Sequence, residues 1–379
     1  MLNEKSVNLL IETRKILHAN PEVSGQEFET QKRIIEFLSA HCNTGIHKIS
    51  GTGVLAVFDS GKPGRTVMIR GDIDALRITE VNKFKHRSSV DGISHKCGHD
   101  GHTTILLGLA MQLTEFPVNR GKVILLFQPA EETGMGAQSV LNDKMFSTHS
   151  IDFVFALHNL PGFKKNEIIV REDKFSADVR SIIIKLHGKT SHSAEPEKGY
   201  NPAIVIADII RFAEENSHNV PGDDNFFLVT PAYAILGEKA YGVSAGYGEL
   251  HLTMRSWSPG LMKEKIIKLE DFIGQKCRQH TIKPDISWTE VFHACINHPQ
   301  AVDIIKKAAE ANKLDITKPD TPFKWGEDFG LFTQKQDGAI FGLGAGTGTP
   351  ALHNPDYDFP DDIIQAGVSM FYQIVQKSI

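Results

Sequence analysis

Cysteine and long apolar runs are the scarcest features of this 379-residue sequence. The four cysteines are Cys42, Cys97, Cys277 and Cys295. Their irregular spacing argues against a disulfide framework and suits a reducing, cytoplasmic setting. No stretch approaches the roughly 18 uninterrupted apolar residues that a membrane-spanning helix requires. The opening segment places Glu4, Glu12 and Arg14 among apolar residues at helical spacing, so we predict an amphipathic helix there and no signal peptide.

Blocks of like charge, sequence repeats and low-complexity tracts are also absent. The net charge of −5 arises from 41 basic and 46 acidic residues in mixed order. This distribution is unlike that of a nucleic-acid-binding surface or a polybasic membrane patch, so we expect a small molecule as the partner. The length is typical of about two domains.

Short apolar runs alternate with helical patterns in the first part of the chain. The runs GVLAVF, TVMIR, KVILLF and DFVFAL are rich in Val, Ile, Leu and Phe, as strands buried on both faces are. Helical patterns such as TTILLGLAMQL lie between some of them, and Ser24 with Glu27 has capping-box spacing before a second helix. This alternation predicts an α/β domain with a mostly parallel sheet.

A different rhythm occupies residues 175–290. Strand, helix, strand, strand, helix and strand patterns follow one another there, which is the ferredoxin-like βαββαβ order. A helix, a strand and a last helix then resume the first rhythm. We therefore predict one α/β domain made of residues 1–174 and 291–379, interrupted by an inserted ferredoxin-like domain of residues 175–290.

Polar residues follow the strand-like runs, where open α/β sheets bind their ligands. Asp72 and Asp74 follow TVMIR, Glu131 and Glu132 follow KVILLF, and His158 follows DFVFAL. The donors that mix sulfur, nitrogen and oxygen across separate segments are Cys97, His99, Glu132, His158 and His353. Such a set is typical of a catalytic metal site, and five donors including a carboxylate able to bridge indicate two metal ions.

Two local patterns refine this interpretation. Adjacent side chains at the end of a strand point in different directions, so one carboxylate of the Glu131–Glu132 pair can bind metal while the other acts as a general base. The stretch HKCGHDGH crowds candidate ligands around Gly98 and Gly101. We predict that these glycines let the backbone turn close to the metals before a helix begins near Thr103.

Each of these residues also has a purely structural interpretation. A free cysteine such as Cys97 is usually a buried apolar residue, and Asp72 or Asp74 can cap a turn. The glycine run FGLGAGTGTP, which includes Gly344, lacks the following helix and acidic residue of a dinucleotide-binding loop. We interpret that run as a tight loop closing over a site.

The motifs together resemble the aminoacylase/carboxypeptidase family of two-metal exopeptidases. They are, in chain order, RGDIDAL, HKCGHDGH, QPAEETGMGA, LHNLPG, GKTSHSAEPEKGYNP, GEDFG and ALHNPDYDF. The similarity is greatest to the amidohydrolase branch, which includes hippurate hydrolases, N-acetyl-amino-acid deacetylases and auxin-conjugate hydrolases.

The resemblance implies a role for individual residues. The implied ligands of two divalent ions (zinc, manganese, cobalt or nickel) are Cys97, His99, Glu132, His158 and His353. Glu131 becomes the general base, and the inserted domain becomes a lid that forms a homodimer. His192 then reaches the neighbouring subunit's site to polarise the scissile carbonyl, and Arg255 contacts substrate. We add Asp72 to the expected catalytic residues and Gly344 to the expected substrate contacts.

Two departures from the family pattern bear on the substrate. Gly242–Ala245 replace an Asn-Val-Ile-Pro-like turn, and Leu76-Arg77 replaces Leu-Pro. We predict a metal-dependent amidohydrolase that cleaves N-acyl amino acids to a carboxylic acid and a free amino acid, with a substrate preference that differs from the best-known relatives. The alternatives are a dipeptidase or carboxypeptidase of the same family and a non-enzymatic metal-binding protein, which would not need Glu131.

Overall fold

The computed structural model describes residues 2–379, which form two compact units. The first unit comprises the chain up to Phe175 together with Cys295–Pro319 and Asp328–Ile379, and the second comprises Ser176–Ala294 and Asp320–Glu327. The segment Asp320–Glu327, which we expected in the first domain, therefore belongs to the second unit. The cause is main-chain bonding, because the N–H of Ala177 donates to the carbonyl of Phe323 (3.0 Å).

The helices and strands follow the predicted alternation. Helices α1–α9 are Glu4–Ala19, Phe28–His41, His99–Glu115, Gly136–Asn142, Ala203–Glu215, Pro259–Gln279, Pro299–Ala311, Gly330–Thr333 and Ile364–Ser378. Strands β1–β16 are Gly45–Ile49, Gly53–Asp59, Thr66–Asp72, Lys122–Gln128, Phe153–Pro161, Ile168–Ile169, Asp173–Lys174, Asp178–His187, Ser191–His192, Phe227–Leu236, Val243–Ser244, Tyr247–Ser256, Lys283–Phe292, Ile296–Asn297, Ile316–Thr317 and Asp337–Gly346. No helix within residues 2–379 is long and apolar enough to cross a membrane.

The first unit is built on an eight-stranded sheet with the order β1-β2-β4-β3-β5-β16-β6-β15. Its four middle strands, β4, β3, β5 and β16, run parallel to one another. Strands β4 and β5 are buried along almost their whole length, as expected of strands covered on both faces. Helices α1, α3, α7 and α9 contribute to the same hydrophobic core. The predicted α/β class with a mostly parallel sheet is confirmed.

The start of α3 differs from the prediction. The helix begins at His99 and not near Thr103, directly after Gly98 in the left-handed region at φ 96°. A side chain at position 98 would collide with Asn159. Gly101 lies inside the first turn, where a Cβ would collide with the ring of Phe359. Gly98 therefore makes the turn, whereas Gly101 allows close packing of the helix.

The predicted capping box before α2 is also wrong. The helix begins at Phe28, and Glu27 at its N-cap makes no side-chain capping bond. The hydroxyl of Ser24 donates instead to Asp74 Oδ2 (2.6 Å). The buried carboxylate of Glu27 accepts from the Thr52 hydroxyl (2.6 Å) and from the main-chain N–H of residue 130 (2.8 Å). Ser24 and Glu27 therefore make hydrogen bonds to distant residues and do not cap the helix.

The second unit has a four-stranded antiparallel sheet with the order β10-β12-β8-β13. The order of elements is β8, α5, β10, β12, α6 and β13, so the main strands lie as second, third, first and fourth, the ferredoxin-like arrangement that the sequence predicts. Strand β12 alternates buried and half-buried residues because α5 and α6 share a core with one face of the sheet. The short strands β9 and β11 pair His192 with Val243.

Candidate metal centre

The predicted ligands converge at the carboxyl ends of the parallel strands in the first unit. Glu131 and Glu132 follow β4, His158 lies in the second half of β5, and His353 lies in the loop after β16. Cys97 and His99 are supplied by the turn that begins α3. This is the edge of an open α/β sheet at which ligands bind.

Donor atoms within 4.8 Å of one another form overlapping groups. Three of the groups are Cys97–His99–His158, Cys97–Glu132–His353 and His99–Glu131–Glu132. The Cys97 Sγ lies 3.5 Å from His158 Nε2, and the Glu132 carboxylate lies 3.8 Å from His99 Nε2 and 3.9 Å from His353 Nε2. Because Cys97 and Glu132 each belong to two groups, the arrangement suits a pair of neighbouring ions.

The hydrogen bonds of two histidines leave one ring nitrogen directed at this centre. His99 Nδ1 donates to the carbonyl oxygen of Asp74 (3.0 Å), and His158 Nδ1 donates to the carbonyl of Asn159 (2.9 Å). Since a carbonyl only accepts, Nδ1 carries the proton in both rings and Nε2 of a neutral ring keeps its lone pair. This is the usual arrangement of metal-binding histidines.

The charges of the centre fit a cation. Burial, opposed by the charge of His99 and aided by the negative charges of Asp74 and Asp72, raises the pKa of Glu132 to about 8. Burial and the charge of Glu132 raise the pKa of the Cys97 thiol well above its usual value. The buried atoms Glu132 Oε1 and His99 Nε2 make no hydrogen bond. The residues present therefore fit divalent ions, which would relieve both the crowded negative charge and the unbonded donors.

The other polar residues of HKCGHDGH have different partners. His102 Nδ1 donates to Asp72 Oδ1 (2.6 Å), and its Nε2 lies 2.5 Å from the side-chain oxygen of Asn159. His95 is buried, which lowers its pKa to about 4, and it belongs to none of the donor groups found in residues 2–379. Cys97 and His99 of this stretch share donor groups with Glu132, whereas His102 forms a group with Asp72 and His99.

Asp72, predicted to be catalytic, is fully buried and shares a donor group with His99 and His102. Arg70 Nη1 donates to its Oδ2 (2.5 Å), while His102 donates to its Oδ1. Burial acts to raise the pKa of Asp72, but the charges of His99, His102 and Arg70 lower it well below the usual value. Its Oδ2 also lies 3.7 Å from His99 Nε2, and the catalytic role of Asp72 stays a prediction.

Glu131 is buried and follows an unusual backbone position. Ala130 adopts a left-handed conformation at φ 54°, which strains a residue with a Cβ. The main-chain N–H of Asp328 donates to Glu131 Oε1 (3.3 Å). Asp328 in turn contacts Arg70 and Gln128 through its carboxylate. We refer to Arg70, Gln128 and Asp328 as the Asp328 bracket.

A second buried group of charges, here the N-terminal charge cluster, adjoins the turn before α3. Its members are Arg14, His18, Glu80, Lys96, Asp100, Asp358 and Asp361. Arg14 Nη1 contacts Asp100 Oδ2 (3.2 Å) and Asp358 Oδ1 (2.7 Å). His18 Nδ1 donates to Asp100 Oδ2 (2.8 Å), and Lys96 Nζ donates to the main-chain carbonyl of Tyr357 (2.7 Å). The cluster thus holds both ends of the segment that carries the two ligand candidates.

Three predicted residues lie elsewhere. His192 and Arg255 belong to the second unit, where His192 is exposed and Arg255 Nη1 donates to the carbonyl of Lys324 (2.9 Å). Gly344 lies in β16, where its N–H donates to Glu167 and its carbonyl accepts from Asn166. Both main-chain groups of Gly344 are thus bonded to neighbouring main chain, and its contact with substrate stays a prediction.

Sequence reasoning missed the Asp328 bracket and the N-terminal charge cluster. Asp328 lies in the GEDFG motif, which the sequence marks as part of the family pattern without giving it a role. Arg14 and His18 lie four residues apart on α1 and are both fully buried. Charged residues on the apolar face of a predicted helix are the signal that could have indicated the cluster.

Comparison with known proteins agrees with this geometry. The family model described as peptidase family M20/M25/M40 matches residues 68–377. The hippurate hydrolase of Campylobacter jejuni is 28% identical, with 96% of this chain and 95% of that protein covered. The N-acetyl-L-cysteine deacetylase of Bacillus subtilis is 29% identical, with 97% and 88% covered. A Bacillus subtilis structure described as a dinuclear metal binding peptidase from the M20 family superposes with a TM-score of 0.83 at 26% identity, covering 100% of each chain.

Proposed function

Because the chain belongs to peptidase family M20/M25/M40, we propose that it is a metal-dependent amidohydrolase that cleaves N-acyl amino acids to a carboxylic acid and a free amino acid. Relatives named as a hippurate hydrolase and an N-acetyl-L-cysteine deacetylase act on this class of substrate. The observation that carries the proposal is the convergence of sulfur, nitrogen and oxygen donors around a buried glutamate pair.

The five candidate ligands would hold two divalent ions, and zinc or manganese suits this donor set. Divalent ions bound there supply Lewis acidity toward an amide carbonyl and toward water. Cys97 bears on the choice of metal, because a thiolate favours softer ions than carboxylates do.

Glu131 is the general base in this proposal. Its carboxylate takes a proton from the attacking water and later gives a proton to the nitrogen of the leaving amine. The hydrogen bond from the Asp328 N–H orients the carboxylate, and burial keeps competing water away from it. The adjacent Glu132 is a metal ligand in this proposal, and its main-chain N–H donates to Asp74 Oδ2 (3.0 Å).

We further propose a homodimer in which His192 serves the partner subunit's site. The N–H of Ala194 donates to His192 Nδ1 (3.1 Å), so the proton of the neutral ring lies on Nε2. An exposed Nε2–H can donate to a carbonyl oxygen as negative charge develops on it. We place the protein in the cytoplasm, because a free thiol among the ligand candidates suits a reducing compartment.

A substrate panel tests the proposed function. Purified protein loaded with zinc or manganese is assayed against N-acetyl and N-benzoyl amino acids and against unblocked dipeptides. We expect turnover of at least one N-acyl series, and Glu131→Gln should lower kcat by about 1,000-fold or more while metal content is retained. Preference for unblocked dipeptides would contradict the proposed substrate class.

A matched control separates this loss from a general effect of removing a carboxylate. Glu167 belongs to the same unit and accepts hydrogen bonds, yet it lies in none of the donor groups. Glu167→Gln should keep kcat within about twofold. Full activity of Glu131→Gln would show that the enzyme uses another base or none.

A further inference from the structure

The Asp328 carboxylate accepts hydrogen bonds from the two ends of one loop and from Arg70. Gln128 Nε2, at the end of β4, donates to Oδ1 (2.9 Å) and Oδ2 (2.8 Å). The main-chain N–H of Ala137, at the start of α4, donates to Oδ2 (2.8 Å), and Arg70 Nη2 donates to Oδ1 (2.7 Å). The loop between these two ends carries Glu131 and Glu132. Asp328 therefore holds the two ends of the loop that carries Glu131 at a fixed distance from each other.

The same bonds fix the peptide group of Asp328 itself. Its side chain is 98% buried and is held on three sides, so its main-chain N–H is directed at Glu131 Oε1 in one orientation. Arg70 extends the arrangement, because it also donates to Asp72 (Nη1 to Oδ2, 2.5 Å) and to Gln128 (Nε to Oε1, 2.9 Å). A buried charged network with several bonds to each member is rigid.

The two adjacent glutamates have separate supports. Asp74 accepts from the main-chain N–H of Glu132 and from His99 Nδ1, and thus supports two candidate ligands. Asp328 donates to Glu131 Oε1 through its main-chain N–H, and its carboxylate accepts from the N–H of Ala137. The observed bonds thus link Asp74 to two ligand candidates and Asp328 to the candidate base.

We propose that Asp328 is a positioning residue for the general base: it sets the orientation of the Glu131 carboxylate without contacting substrate or metal. The inference rests on the proposed function of Glu131. Displacement of a reacting group by about 1 Å can lower a rate by about 100-fold. An Asn at this position would turn an amide N–H₂ toward Arg70, Gln128 or the N–H of Ala137. These groups are donors, so the hydrogen bonds could not all form.

The test is a comparison of kcat, KM and metal content in Asp328→Asn. We expect kcat to fall by about 30- to 100-fold, with KM and bound zinc within about twofold of the parent enzyme. Asp74→Asn provides the contrast, because loss of its bonds to the ligand candidates should lower zinc content. Loss of zinc from Asp328→Asn in proportion to activity would overturn the proposal, as would unchanged kcat.

A double-mutant cycle with Glu131→Gln distinguishes positioning from a general structural role. If Asp328 acts through Glu131, adding Asp328→Asn to the Glu131→Gln enzyme lowers kcat by less than about threefold. Fully multiplicative losses would overturn the proposal. An active Glu131→Gln enzyme would remove the proposed role of Glu131 and this inference together, whereas an inactive one beside fully active Asp328→Asn would remove the inference alone.

Two further variants guard against a folding defect. Gln128→Met removes one donor to Asp328 at similar volume and should lower kcat by about 5- to 10-fold at unchanged zinc content. Asn297→Ala removes buried side-chain bonds to the main chain of Arg171 and Ile340 in the same unit. It should lower thermal stability but leave kcat within about twofold. If Asp328→Asn does not fold, unchanged kcat in Gln128→Met overturns the proposal.

Discussion

The two units place their charged and apolar side chains in opposite ways. The first unit buries charges such as Arg14, Arg70, Asp72 and Asp100, each bonded to other protein groups. The second unit has a conventional apolar core, and its edge strand β10 leaves Tyr233, Ile235 and Leu236 exposed. Burying a polar site thus costs the first unit desolvation free energy. The second unit instead leaves apolar side chains of β10 exposed, where a partner surface could cover them.

The largest expected effect concerns the ligands of the first unit. Cys97→Ala and His353→Ala should each lose at least one metal ion and lower kcat by about 1,000-fold or more, because each removes a donor at the predicted centre. Metal analysis and a saturating assay are the measurements. Cys277→Ala is the control, since this cysteine is also buried but belongs to the second unit. Full metal occupancy in both ligand variants would refute the ligand assignment.

The next largest effect is a loss of kcat on substitution of a residue in the second unit, with metal content unchanged. His192→Ala should lower kcat by about 100-fold with metal content and unfolding free energy unchanged, because the exposed ring supports no core contact. His218→Ala, another exposed histidine of this unit, should be neutral.

Mixing two inactive variants tests the action of His192 in the partner's site. Heterodimers of Glu131→Gln and His192→Ala chains should regain a substantial part of the activity, because one of their sites has both groups. Continued inactivity of demonstrated heterodimers would place His192 in its own subunit's site or outside catalysis.

Stability of the first unit should depend on the charge of His18. Burial acts to lower its pKa, but the hydrogen bonds and charges of Asp100 and Glu80 raise it to about 9. Since this folded-state pKa exceeds the unfolded value, the stabilisation is complete below about pH 6.5 and is lost as pH rises through about 9. Asp358, His86 and the ring of His95 also face His18.

We expect the unfolding free energy to fall by on the order of 3 kcal/mol over that pH interval, relative to His18→Gln. Urea unfolding of both proteins at pH 6 and pH 10 measures the difference. Parallel pH profiles of the two proteins would exclude His18 as the source of the dependence.

The smallest expected effect on stability is at the exposed strand of the second unit. Ile235→Lys should change the unfolding free energy by less than about 0.5 kcal/mol, because the side chain is 41% exposed. It should nevertheless shift a homodimer toward monomer in analytical ultracentrifugation if β10 is covered by a second copy. Ile267→Lys, at an exposed isoleucine of α6, should leave the association state unchanged. Equal behaviour of the two variants would argue against β10 as the interface.

Periodicity was sufficient to predict the main elements and the edge of the sheet at which the donors meet. Apolar runs and strand ends are local properties, and parallel strands bring their carboxyl ends together regardless of the loops. The sequence therefore predicts that Glu132 and His158 lie at one edge of the sheet, and in the structure each shares a donor group with His99.

The errors come from bonds between distant residues. Ser24 has the right spacing for a cap, but the Asp74 carboxylate fifty positions away binds its hydroxyl. Asp328 is 200 residues from Gln128, and no local pattern indicates that they bond. Such pairings depend on tertiary structure, which a single sequence does not encode in its local periodicity.

The N-terminal charge cluster also has a consequence for synthesis of the chain. Arg14 contacts Asp358, 344 residues later, so at about 5 to 20 residues per second it emerges on the order of 20 to 70 s before this partner. During that interval the guanidinium lacks the carboxylate it pairs with in the folded state, and α1 cannot dock with its final set of bonds. Because Lys96 and Asp100 belong to the same cluster, we expect the turn that carries Cys97 and His99 to become fixed only after Asp358 and Asp361 have left the ribosome.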